Sequence, residues 1–134
     1  MKNKKMVLDS FAVIAYFQKE HHSLRVVEFL RIAKKQECSL MMSLVNWGEF
    51  YYIIARSHGK AHADQCLLLM EQLPIHLEGV SKELVLRASN LKAKYPISYG
   101  DCFAIALAQK EECPVLTGDP EFKKVSNEVE VTWL

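Results

Sequence analysis

Long hydrophobic runs are missing from this chain of 134 residues, and nothing in it approaches the roughly 20 apolar residues of a membrane span. Glycine and proline are scarce, at 5 and 4, which excludes collagen-like, low-complexity and linker-rich chains. The 4 cysteines, Cys38, Cys66, Cys102 and Cys113, show no C-x-x-C spacing and sit among apolar neighbours. They read as buried free thiols of a reducing compartment, with no cysteine–histidine cluster to form a zinc site. Charge lacks a dominant sign: 17 basic against 16 acidic residues leave +1. That balance neither announces nor excludes a nucleic-acid partner, because a local basic stripe matters more than the sum. Lys2, Lys4 and Lys5 ahead of the run Met6 to Phe17 imitate a signal peptide. Asp9 interrupts that run, however, and Gln18-Lys19-Glu20 stands where small residues would mark cleavage. The expectation is a cytoplasmic protein with no membrane association.

What is present is ordinary globular material, 50% apolar and 25% charged, in the length of one domain spanning residues 1–134. Met6-Val7-Leu8 is a short apolar run ended by Asp9-Ser10, which suits a buried strand followed by a helix cap. Ser10 to Phe17 then reads as a helix, as does Ser23 to Lys35 with Leu24, Val27, Leu30 and Ile32 in helical rhythm. Ser39 to Met42 is a second strand, and Ser43 caps a helix through Trp47, Phe50 and Ile54 that stops near Gly59. Lys60 to Gln72 is a further helix, Ile75 to Val80 a third strand, and Ser81 caps a helix to about Lys94 that Tyr95-Pro96 breaks. Ser98 or Gly100 opens the next helix, Pro114 to Thr117 is a fourth strand, Gly118-Asp119-Pro120 turns into a short helix, and Val129 to Trp133 closes the chain as a strand.

Short apolar strands alternating with helices predict an α/β fold, a doubly wound parallel sheet covered on both faces. Ligands of such sheets sit beyond the carboxyl ends of the strands, where strand order reverses. Asp9 follows the first strand and Asp119 the fourth, so neighbouring first and fourth strands would bring these two carboxylates face to face.

Most acidic residues, such as Glu28, Glu71, Glu83 and Glu111, lie on helices among polar neighbours and read as solvated. Asp9, Glu49, Asp101 and Asp119 instead stand in apolar stretches, where an isolated carboxylate is costly and wants a cation or hydrogen-bond donors. Each has a bland reading: Asp9, Asp101 and Asp119 as helix caps or first-turn acids, Glu49 as one exposed helix residue. Gathered together they have a chemical one. Mg²⁺ and Mn²⁺ prefer hard oxygen ligands, and three or four carboxylates supply the charge to hold one or two such ions. Ions held so activate water and neutralise the oxyanions of an in-line displacement at phosphorus.

The stretches Val7-Leu8-Asp9-Ser10-Phe11-Ala12-Val13-Ile14-Ala15, Asn46-Trp47-Gly48-Glu49, Gly100-Asp101-Cys102-Phe103-Ala104-Ile105-Ala106-Leu107-Ala108 and Leu116-Thr117-Gly118-Asp119-Pro120-Glu121-Phe122 resemble the PIN-domain nucleases. They are most similar to the small VapC-type toxins of prokaryotic toxin–antitoxin pairs. The resemblance runs in order over essentially the whole chain. It implies a five-stranded parallel sheet of order 3-2-1-4-5 flanked by helices, and endoribonuclease activity with Mg²⁺ or Mn²⁺ held by Asp9, Glu49, Asp101 and Asp119. It implies roles for Ser10 and Thr117 in organising the metal site, with Glu121 as an accessory acid. A homodimer and a cognate antitoxin in the active-site groove are its implied partners, with RNA as substrate.

Other candidates are weaker. Arg56 and Lys60 follow the glutamate helix and could touch RNA phosphates, as could Arg25, Arg31, Lys34 and Lys35, although solvated helix faces are the commoner explanation for such residues. Tyr99, beside Asp101, is the aromatic residue placed to contact RNA. Trp47, Phe50, Tyr51 and Tyr52 read as core or dimer-interface residues. His58 and His62 have metal-pair spacing, but Gly59 lies between them with no third ligand nearby. Two other activities compete with a toxin: housekeeping RNA processing, and a non-catalytic RNA-binding or assembly domain. A receiver-type phosphoacceptor domain fits poorly, because Asp9 has no adjacent acid and the third strand runs into Gly79-Val80-Ser81.

Overall fold

Alternation along three short strands sets the layering of the molecule. In the computed structural model, which describes residues 4–134, β1 (Lys4–Leu8), β2 (Cys38–Ser43) and β4 (Val115–Thr117) lie at the centre of a parallel sheet. Lys2 of the basic N-terminal cluster lies outside the described residues. Met6, Leu8, Leu40, Met42 and Leu116 face one side of the sheet, and Val7, Met41 and Val115 the other. Because a strand turns successive side chains to opposite faces, continuous apolar runs of this kind need covering layers on both sides.

One layer is formed by α1 (Ser10–Phe17), α2 (Ser23–Lys34), α3 (Leu44–His58) and α4 (Lys60–Met70), which bury Val13, Val26, Phe50, Ile54 and Cys66 against the sheet. The other is formed by α5 (Lys82–Lys94) and α6 (Tyr99–Glu111), with the short 3₁₀ helix Pro120–Val125 supplying Phe122 and Val125. Helix α6 is apolar nearly all round, with every residue from Gly100 to Ala108 buried, so it forms the centre of that layer.

Edge strands β3 (Ile75–Glu78) and β5 (Val131–Trp133) complete the order β3-β2-β1-β4-β5, as the resemblance implied. Several boundaries move because partners, rather than local composition, set strand length. β1 begins at Lys4 and β2 at Cys38 because these two residues pair in register. β3 ends at Glu78, short of Val80, because its partner β2 ends opposite at Ser43. β5 begins at Val131, short of Val129, opposite the first residue of a three-residue β4. Helix α4 stops at Met70, where the chain must turn through Leu73-Pro74 into β3. Of the two starts considered for α6, Ser98 is the cap: its hydroxyl accepts from the Asp101 N–H at 3.1 Å.

Strand order reverses between β1 and β4. The chain passes from β1 into helices on one face and from β4 into the 3₁₀ helix on the other, opening a crevice at their carboxyl ends.

Candidate active site

Register places the first carboxylate. Val7 pairs with Val115 and Leu8 with Leu116, so Asp9 comes level with Thr117 just past the paired residues. The Thr117 hydroxyl donates a short hydrogen bond to Asp9 Oδ2, while Asp9 Oδ1 accepts from the Ala12 N–H at 3.0 Å and caps α1. Asp9 is 1% exposed and Thr117 fully buried. Burial, reinforced by the charges of Asp101 and Asp119 and opposed by the Thr117 and Ala12 hydrogen bonds, pushes the Asp9 carboxyl up to about 8. The helix-cap reading of Asp9 is therefore correct and incomplete, since a cap alone needs neither deep burial nor acidic neighbours.

Thr117 also fixes the fourth carboxylate. Its Oγ1 accepts from the Asp119 N–H at 3.0 Å, and Asp119 Oδ1 accepts from the Glu121 N–H at 2.9 Å, capping the 3₁₀ helix. Gly118 between them lies under the Phe11 ring: a Cβ there would stand 2.5 Å from Phe11 Cε1. Only glycine admits this approach of the β4 loop to the start of α1. Asp101 enters from the first turn of α6 and is buried. Burial, then the charges of Asp119, Glu49 and Glu121, raise its carboxyl to about 7, against a lowering hydrogen bond with Ser98.

Glu49 reaches the same place from α3. Its carboxylate lies against Gly100, where an added Cβ would meet its atoms at 2.1–2.3 Å, and its Oε1 accepts from Asn46 Nδ2 at 2.8 Å. The rotation of α3, which sequence left open, thus turns Glu49 toward α6. Asn46 and the missing side chain at Gly100 escaped sequence reasoning as functional features. The available signal was their spacing, since a residue three before a helical glutamate lies one turn away on the same side.

Of the accessory candidates, Thr117 stands inside the cluster, and Ser10, half-buried, opens α1 directly after Asp9. Glu121 contributes to the field at Asp101 and ion-pairs with Lys124 at 2.6 Å. The RNA-contact candidates make contacts of their own. Lys60 Nζ is committed to Asp64 at 2.7 Å, an acid that also accepts from the Tyr51 hydroxyl at 2.7 Å. The Arg56 guanidinium lies over the Tyr52 ring at 5.4 Å. Tyr99 is 44% exposed, but its hydroxyl is bonded to Ser89 at 3.0 Å and its ring packs edge-on against Phe103. His58 and His62 are exposed, with ring centroids 5.3 Å apart.

Hard carboxylate oxygens of this number fit Mg²⁺ or Mn²⁺, and neutralising them is what a bound cation would do for two carboxyls otherwise raised toward neutrality. Among the described residues no three His, Cys, Asp or Glu side chains already close on one metal position. The fit rests on donor chemistry and crowded charge rather than on a preformed cage.

Architecture and site together define a doubly wound α/β protein whose acidic residues gather at the reversal of strand order. The PIN domain family model matches residues 6–128, and the chain belongs to that family. The fold is shared with VapBC2 from Rickettsia felis, solved bound to a DNA fragment from its promoter (TM-score 0.78, 14% identity, 97% of this chain and 98% of that one). DNA-bound VapBC from Salmonella typhimurium is similar over 97% of this chain and 98% of its own (TM-score 0.73, 13% identity). So is VapC20 from Mycobacterium tuberculosis, a toxin cleaving the sarcin–ricin loop, over 92% and 95% (TM-score 0.70, 14% identity). No curated protein matches the sequence. Among the described residues no helix is long and apolar enough to cross a membrane.

Proposed function

We propose that the chain, acting as one domain, is a Mg²⁺- or Mn²⁺-dependent endoribonuclease and the toxin of a VapBC-type pair. The observation carrying this reading is the convergence of Asp9, Glu49, Asp101 and Asp119, from four separate elements, at the crevice between β1 and β4. Asp9, Glu49, Asp101 and Asp119 would hold the ion. When bound it would supply an activated water and neutralise the charge on the oxygens of the scissile phosphodiester.

The chain's own residues prepare that chemistry. Thr117, by donating to one Asp9 oxygen, and Ala12, by donating to the other, fix that carboxylate in a single orientation. Thr117 simultaneously holds the backbone of Asp119, so one hydroxyl sets the separation of two acids. The Phe11 ring packed on Gly118 holds the loop after β4 close to the start of α1, beside Asp9 and Asp119. Retention of all four acids favours catalysis over a purely RNA-binding role. The structural neighbours, being toxin–antitoxin assemblies, favour a toxin with an antitoxin partner over housekeeping RNA processing. A homodimer working in the cytoplasm completes the proposal.

The test is cleavage of a structured RNA by the purified protein with Mg²⁺ or Mn²⁺, with EDTA, and as Asp9→Asn and Asp101→Asn. Activity should require the cation and vanish in both variants while circular dichroism stays unchanged. EDTA-resistant cleavage, or full activity of Asp9→Asn, refutes the assignment. Induced expression should arrest growth of the host and Asp9→Asn should relieve it; harmless expression of an active enzyme would instead indicate RNA processing.

A further inference from the structure

Asn46 is an expensive residue for its position. It is 0% exposed in the first turn of α3, where a leucine would pack without needing partners. Its amide nitrogen donates to Glu49 Oε1 at 2.8 Å and across to the Gly100 carbonyl on α6 at 3.0 Å. Both partners only accept, so the orientation of the amide is fixed: turned over, it would set oxygen against two oxygens. With both N–H groups spent in this way, the remaining Oδ1 is buried and has no hydrogen-bond partner among the described residues. Stability alone therefore does not account for an asparagine here.

What the amide does account for is the place of Glu49. A glutamate on a helix surface has three side-chain torsions and no reason to hold one pose. Here its carboxylate lies on the first turn of α6, in the space left by the missing side chain of Gly100, with Asn46 tying that carboxylate to α6. The same turn carries Asp101, the residue directly after Gly100. We propose that Asn46 is the positioning residue of the site: it clamps the Glu49 carboxylate against Gly100, and so into the metal-binding cluster. This rests on the reading of Glu49 as a metal ligand, and deepens it by naming what holds that ligand in place.

Two variants test the clamp from opposite sides. Asn46→Leu keeps the size and removes both donors. Gly100→Ala leaves Asn46 intact but puts a methyl where the Glu49 carboxylate lies, and alanine is well tolerated in a first helical turn. Mn²⁺ titrated calorimetrically into each purified protein, with Glu49→Gln as control, should bind about tenfold or more weakly in both. In cleavage assays kcat at limiting Mn²⁺ should fall, excess Mn²⁺ should restore it, and KM for RNA should stay at the wild-type value. Wild-type Mn²⁺ affinity in Asn46→Leu and Gly100→Ala, alongside weakened binding in Glu49→Gln, overturns the clamp while leaving the site reading standing. Wild-type affinity in Glu49→Gln overturns both. If Asn46→Leu fails to fold, Gly100→Ala decides alone.

Discussion

Asp9→Asn exchanges a buried ionisable group for a neutral one of the same shape, and the structure says how stability should respond. Burial and neighbouring carboxylates raise Asp9 from 3.8 to about 8. An acid whose folded pKa is raised binds more protons folded than unfolded, so stability falls as pH rises through that window and levels off above it. At about 1.4 kcal/mol per tenfold change in proton affinity, the penalty is on the order of 6 kcal/mol if nothing relaxes. Entry of water and side-chain rotation reduce it to a few kcal/mol. Asparagine keeps an oxygen for the Ala12 N–H and turns its NH₂ to the Thr117 hydroxyl, which retains a lone pair beside the one accepting from Asp119. With EDTA present, Asp9→Asn should therefore melt higher than wild type at pH 8.5, by roughly 5–15 °C for a domain of this size. Near pH 4.5 the two should nearly coincide, and Asp101, raised to about 7, leaves a smaller slope in the variant. Differential scanning calorimetry across pH measures this directly. A variant less stable than wild type at pH 8.5, or a difference equal at both pH values, refutes the placement of Asp9 as a buried, crowded carboxyl.

Thr117→Val removes the donor that favours ionised Asp9, so the rising limb of the pH–activity profile should move up by about one pH unit, as a hydrogen bond to a charged group predicts; an unmoved profile counts against the pairing. Phe50→Ala empties the core between α3 and α1, where the Phe50 ring lies 5.2 Å from that of Phe17, and should cost about 3–5 kcal/mol in urea unfolding. Burial raises the Cys102 and Cys113 thiols to about 11, so both should react slowly with a thiol reagent at pH 8 in the folded protein and rapidly in urea. Fast reaction of the folded protein would show that they are accessible.

Local chemistry made much of the molecule legible. The apolar triplet Met6-Val7-Leu8, stopped by Asp9-Ser10, suits a strand buried on both faces and is one, and serines at 43, 81 and 98 do cap the helices that follow them. Asp9 and Asp119 could be matched from topology, because the positions following two adjacent parallel strands are neighbours whatever else the fold does. Boundaries were less accessible, since a strand such as β3 ends where its partner ends, and the paired residues Ser43 and Glu78 lie 35 positions apart in the chain. Roles resting on side-chain partnership were least accessible. Sequence alone does not show that Lys60 ion-pairs with Asp64, which also accepts from Tyr51, or that the Tyr99 hydroxyl meets Ser89.

Sequence by itself therefore determined the element order and the layering, because these follow from side-chain periodicity and capping within a few residues, while the acids came from their apolar surroundings and, for Glu49 above all, from the family resemblance. Tertiary structure alone decided that Glu49 turns inward, that Gly100 must lack a Cβ to receive it, and that Asn46 bridges the two helices. The physical reason is range. A helix's rotation about its own axis is fixed by what packs against it, and here that is a helix some fifty residues further along the chain.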